Sequence, residues 1–288
     1  MTRPPPTSPP PRSRRSRWPW LVALAAAGGS LGLLGWFASL ARGRMPQGLR
    51  DLGAYALGYG AQATGYALLL TDRYPTSDPA VVVPNQVLPS HPVRIGVTDP
   101  LRRSRLTVFF RLLLALPHLV WLTAWSVLAL LAAVAGWVAA LATGRLPVRL
   151  HRFLAAFTRY ANDVFAFLLL VGGPFPGFAG AAGSYPVALS IAPAERQARL
   201  VTLFRLVLSV PALLVSSAYG GVLAAVALLG WFAALATGRM PEGLRNLGAA
   251  GLRYNAQLTA YLLLLTDRYP YAAPALADGS ADPGTEEV

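Results

Sequence analysis

Residues able to do chemistry are few in this 288-residue chain, and their spacing singles out one group. Leu244, Leu247, Gly251, Tyr254, Leu258, Tyr261 and Leu265 recur at alternating steps of three and four, which makes one apolar helix face. Opposite them stand Asn246, Arg253 and Gln257, with counterparts Arg152, Arg159 and Asp163 in a second segment and Asp51, Gly58 and Gln62 in a third. Arg159 and Asp163, like Arg253 and Gln257, are four residues apart and can meet on one face. Guanidinium groups hold phosphate or carboxylate through paired N–H donors. Three such stripes around one cavity would suit an anionic ligand or a lipid phosphate. The plainer reading has each stripe satisfy itself where helices pack, since a paired Arg and carboxylate cost less to bury than either alone.

Other chemistries find little support. The chain has no Cys, which removes disulfides, thiol nucleophiles and thiolate metal ligands. His91, His118 and His151 match no metal-ligand spacing. Neither a Ser-His-Asp arrangement, a Gly-rich phosphate loop nor an H-E-x-x-H helix occurs. A lipid-modifying enzyme would want a His–carboxylate or nucleophile–base cluster, so a non-enzymatic protein without a cofactor is expected.

Composition says where the stripes must sit. Only 13% of residues are charged and 55% are hydrophobic, with mean hydropathy +0.47. Soluble domains carry roughly 25% charged residues, so a wetted surface for two soluble domains is lacking. All 25 basic residues are Arg and the net charge is +13. They fall between apolar segments rather than on one soluble face, which fits anionic lipid headgroups and not nucleic acid. The partners expected are the lipid bilayer, its anionic headgroups, and a homo-oligomer or another membrane protein.

The elements repeat. Blocks of 41 residues starting at Gly35, Gly136 and Gly230 align without a gap, the first and third sharing 30 positions and the second and third 20. The second and third extend upstream at an offset of 94, so HPVRIGV from His91 matches YPVALSI from Tyr185. The organisation expected is a disordered basic, Pro-rich tail at 1–17, a truncated first copy at 18–78, full copies at 91–184 and 185–278, and an acidic tail at 279–288.

Each full unit opens with alternating apolar residues (Val93, Ile95, Val97 and Val187, Leu189, Ile191), which predicts a short strand outside the bilayer. An apolar stretch of about 36 residues follows, longer than the roughly 20 a span needs. Pro117 and Pro211 are expected to break it, leaving an interfacial amphipathic helix with Arg111 or Arg205 before each proline and a span after it. The spans end in G-W and G-R-x-P. Trp36, Trp137 and Trp231 suit an aromatic belt, and Arg44, Arg145 and Arg239 can reach the headgroups. A second helix follows at roughly 47–70, 148–170 and 242–265. Two of these end in L-L-T-D-R-Y-P, where Asp72, Arg73, Asp267 and Arg268 read as boundary anchors; the middle copy has VGGPFP instead. The run from Trp18 to Leu40 reads as an uncleaved signal anchor. Arg counting, 15 on the side of the termini and inter-repeat segments against eight at the G-R-x-P turns, predicts cytoplasmic N- and C-termini.

The unit Y-P-V…R-L…P-H…G-W-F-A-x-L-A-T-G-R-M-P…L-L-T-D-R-Y-P resembles the bacterial membrane family known as domain of unknown function 4389, over most of 18–271. The resemblance implies a multi-pass membrane protein of uncharacterised function with tandem domains, and brings no catalytic residues. Its P-H element is Pro117–His118 in one copy but Pro211–Ala212 in the next, which argues against an obligatory His ligand. The expected fold is all-α integral membrane: about six spans in tandem helical hairpins, with interfacial amphipathic helices and short extramembrane strands. The expected role is a structural or interaction module of the bacterial cell membrane, the alternative being a transporter or lipid- or anion-binding protein that uses the stripe.

Overall fold

The computed structural model describes residues 32, 34–40, 42–84 and 88–276. Both tails and most of the first apolar run, with its expected signal anchor, lie outside the described residues. In chain order the elements are α1 (Gln47–Ala67), α2 (Pro79–Val82), β1 (Val93–Val97), α3 (Arg105–Phe109), α4 (Arg111–Thr143), α5 (Val148–Leu168), β2 (Val187–Ile191), α6 (Arg199–Thr237) and α7 (Glu242–Leu262).

Each hairpin is set by its G-W…G-R-x-P block. Gly144 and Gly238 end α4 and α6 at φ 72°, a region glycine enters without a Cβ clash. The Thr143 and Thr237 hydroxyls donate to carbonyls four residues back and accept from the Arg145 and Arg239 N–H groups. Pro147 and Pro241 then cap α5 and α7. A Cβ on Gly136 would stand 2.6 Å from Leu146, and one on Gly230 2.8 Å from Met240. The glycine before the Trp is therefore the seat of the residue between Arg and Pro.

The prolines do not break the long helices. Pro117 lies inside the 33-residue α4 and Pro211 inside the 39-residue α6. A proline forfeits one backbone hydrogen bond, and apolar helices packed on neighbours tolerate that loss. The only interruption is at Phe110, between α3 and α4. The expected interfacial helices are thus the first turns of the long ones, and Arg111 and Arg205 point inward, 2% exposed.

Two helices among the described residues, α4 and α6, are long and apolar enough to cross a membrane, against the six spans expected. Only 22% and 28% of their apolar windows are buried. By contrast α7 and much of α5 are buried inside the protein. These second helices are amphipathic elements packed between the long helices and a β-ribbon.

β1 and β2 form that ribbon, antiparallel, with Ile95 opposite Leu189. These two residues occupy equivalent places in the two full units, so an approximate two-fold axis passes between them. The strands are exchanged: β1 packs on α7 and β2 on α5. Val93, Ile95, Val187 and Leu189 face inward, whereas Arg94, Gly96 and Ser190 are exposed.

The same axis relates the ends of the units. Arg102 pairs with Arg239 and Arg145 with Arg196. The Arg103 N–H donates to the Gly238 carbonyl and the Gln197 N–H to that of Gly144. Trp137 and Trp231, expected in an aromatic belt, donate their indole N–H groups to the Thr202 and Val108 carbonyls of the other unit (2.9 and 3.0 Å). α4 and α6 therefore run antiparallel. Each inter-repeat segment abuts the G-R-x-P turn of the other unit, which removes the two-sided separation on which the Arg count rested.

Trp137→Phe and Trp231→Phe each leave a helix carbonyl without its indole donor. Each should lower stability by about 0.5–1.5 kcal/mol, read as a fall in thermal midpoint in detergent. An unchanged midpoint in the double variant would refute the clasp.

Candidate functional site

Several stripe residues bond the protein's own backbone and side chains. In α7 the Gln257 amide donates to the Val93 carbonyl (3.1 Å) while its oxygen accepts from the Tyr271 N–H (2.9 Å). It thereby holds strand β1 and the C-terminal segment on opposite sides of one side chain. Arg253, 3% exposed, donates to the Tyr271 carbonyl (3.1 Å) and to that of Ala273, with its guanidinium over the Tyr271 ring. Asn246 donates to Asp78 (3.0 Å), the residue whose carboxylate also caps α2.

The other copies divide the same work. Gln62 accepts from the Thr76 N–H (3.1 Å), as Gln257 does from Tyr271. Asp51 accepts from the Tyr271 hydroxyl (2.9 Å) and tethers α1 to the third copy. In α5 the strand is held by Asn162, whose amide donates to the Val187 carbonyl (3.2 Å). Its neighbour Asp163 is buried, Arg159 is half-buried and Arg152 is exposed. Among the described residues Arg159 and Asp163 form no ion pair.

Of the expected boundary anchors, Trp36, Arg44, Arg145, Arg239, Asp72, Arg73 and Arg268 are exposed. Asp267 instead turns inward. Its carboxylate accepts from the Ala198 N–H (2.7 Å) at the start of α6 and from Arg205. Arg205 also donates to the Tyr261 carbonyl and to the Thr266 carbonyl (3.0 Å), with its guanidinium 4.6 Å over the Tyr261 ring. The equivalent Arg111 donates to the Gly172 carbonyl and stacks 4.2 Å over Phe167. These two arginines were not among the stripe residues. The signal was available: each stands alone in an apolar run, at the same place in both units.

Among the described residues no cluster of three or more His, Asp or Glu side chains is placed to hold a metal ion. Residues 20–77, 105–177 and 199–273 match the family described as Domain of unknown function (DUF4389). The chain belongs to this family. No curated protein and no solved structure matches it. One DUF4389 segment lies within each of the three copies.

β1, the strand held by Gln257 of the third copy, is preceded by His91. His91 Nδ1 lies 3.0 Å from the Val93 N–H and 3.1 Å from the Val93 carbonyl, and burial pushes the ring's pKa from 6.5 down to about 4. Unfolding restores the ordinary value, so between those limits the unfolded chain binds the extra proton. Stability from this group is complete above pH 6.5 and is lost as pH falls toward 4. The thermal midpoint in detergent should fall on acidification through this window, and His91→Gln should flatten the fall. An equal acid slope in the variant removes His91 as its source.

Proposed function

We propose that the protein is a multi-pass, non-enzymatic structural or interaction module of the cell membrane, in which α4 and α6 cross in opposite directions. The outward surface of these helices carries the proposal. Leu113, Val120, Leu131, Leu206, Leu214 and Leu228 stand exposed, and between Arg105 and Arg145, and again between Arg199 and Arg239, the only charged side chains, Arg111 and Arg205, are buried. An apolar stretch of about 36 residues is about 54 Å long. At a tilt of about 40° it spans about 41 Å, the depth of a bilayer with its headgroups.

In this placement the two-fold axis lies in the membrane plane and the ribbon at mid-depth. Lipid offers no partner to Arg94 or to open strand edges, so the ribbon's outer face is turned to water or protein. Crossing in opposite directions puts Arg145 and Arg239 at opposite faces. The chain is free of Cys, so Arg145→Cys and Arg239→Cys can be labelled singly with an impermeant maleimide in sealed vesicles. Labelling from opposite faces is expected. Labelling of both from one face overturns the crossing and lays α4 and α6 within one leaflet.

A second reading, binding of an anionic phospholipid, is supported by a cleft rather than by the stripes. The cleft, about 1210 Å³, lies between the first copy and α6. Arg42, Arg44 and Arg268 rim it, and Phe37, Val207 and Pro211 wall it, a cationic edge above an apolar trough. None of the eight stripe residues lines it. Replacing Arg42, Arg44 and Arg268, together with Arg50, the fourth arginine lining the cleft, by Gln should lower the anionic phospholipid that co-purifies severalfold, with neutral lipid unchanged. Equal retention of anionic lipid sinks this reading.

A further inference from the structure

In α7 one face is closed by the ribbon and by α5 of the sibling unit. Ala249, Leu252, Ala256, Ala260, Leu264 and Leu265 lie on it, all buried in one core cluster. In α5 the equivalent face, with Ala155, Ala166 and Val171, is buried in the same cluster. The two second helices thus mate through equivalent positions about the two-fold axis.

Among the described residues the first copy carries the same face without the mate. The counterparts in and just after α1 are Ala54, Leu57, Ala61, Gly65, Leu69 and Leu70, identical to those of the third copy at five of six positions. Leu252 is 4% exposed, whereas Leu57 is 78% exposed, and Leu69 and Leu70 are at 88% and 77%. The opposite side of α1 is already occupied: Leu52 and Tyr55 pack into the body of the protein. Three copies form one internal pair and leave one over.

From this mismatch we infer that the exposed face of α1 is a homodimer interface, on which the α1 of a second copy of this chain packs about a two-fold axis. In α7 this surface meets its homologue in α5, identical at three of six positions, across a two-fold axis inside the chain, and a face that packs on its own homologue in this way suits an isologous contact. Ala54, Ala61 and Gly65 let two helices approach closely, and in a bilayer close backbone approach is the main source of helix association. The inference goes beyond the membrane reading and holds for α4 and α6 in either placement.

The test uses the full chain in vesicles of phosphatidylethanolamine and phosphatidylglycerol. Leu57→Cys should form a disulfide-linked dimer under mild oxidation. Leu113→Cys, also exposed but on α4, should give only the collisional background. Ala61→Phe adds bulk at an exposed site that lipid accepts, and should convert the detergent-solubilised chain from dimer to monomer by mass measurement with its thermal midpoint kept. Crosslinking of Leu57→Cys no greater than that of Leu113→Cys overturns the inference, as does a wild-type monomer. A dimer that survives Ala61→Phe overturns it too, since it would use another surface. Capture of Leu57→Cys by lipid contact alone, with no protein crosslink, gives the face to the bilayer instead.

Discussion

The fold depends on how the ends of its amphipathic helices are satisfied. α1, α5 and α7 each stop at a leucine in the left-handed region, Leu69, Leu170 and Leu264, with φ near 60°. A residue with a β-carbon pays about 1–2 kcal/mol to sit there, and the turn leaves carbonyl groups pointing inward. In both full units a buried cation from the neighbouring long helix takes them up. Arg111 donates to Gly172 and Arg205 to Thr266, at equivalent positions, while Arg103 and Gln197 donate to Leu170 and Leu264. A guanidinium at a helix C-terminus also meets the negative end of the helix dipole. The arginines that look like faults in an apolar run are what lets the second helix end inside the protein.

That arrangement explains why the units need each other. Arg103 and Gln197 belong to inter-repeat segments, and those segments are held in turn by backbone bonds to Gly238 and Gly144 of the opposite unit. Each strand likewise packs on the sibling's second helix, where Gln257 and Asn162 bond its carbonyls. Removing either unit would strip a strand from one amphipathic helix and expose its apolar face. The two full copies therefore behave as one cooperative body, although their sequences read as separable modules.

Much of this frame was legible in the residues. The G-R-x-P turns, the three second helices and both strands fall where hydrophobic period and turn chemistry place them, because these are local signals. The exchange of strands was not legible, since a 94-residue offset reveals a repeat but carries no information on how its copies face each other. Pro117 and Pro211 misled for a related reason: a proline lowers local helix stability, while tertiary packing decides whether the helix continues. Arg159 and Asp163 have ideal spacing for a pair and do not pair, and Asn162 beside them does the work that Gln257 does in α7. Spacing fixes a helix face only to within a residue, and the strand chooses among the amides available.

The middle copy's departure from L-L-T-D-R-Y-P shows what the repeat conserves physically. Gly173 stands where the third copy has Asp267, so the carboxylate that meets Arg205 there is missing. Asp99, from the inter-repeat segment, takes its place: it lies 2.6 Å from Arg103 and accepts from the Gly173 N–H (3.1 Å). Its own counterpart in the third copy is Pro193, and the counterpart of Arg103 is the neutral Gln197. Each unit thus keeps one inward-turned carboxylate, Asp99 buried and Asp267 half-buried, and at least one guanidinium at the end of its second helix, drawn from different segments. A buried cation left without an anion is costly, and each unit keeps a carboxylate against one of these guanidiniums even though the residue that supplies it moves. Asp267 therefore does more than mark a boundary, whereas the exposed Asp72, its match in the first copy, forms no ion pair among the described residues.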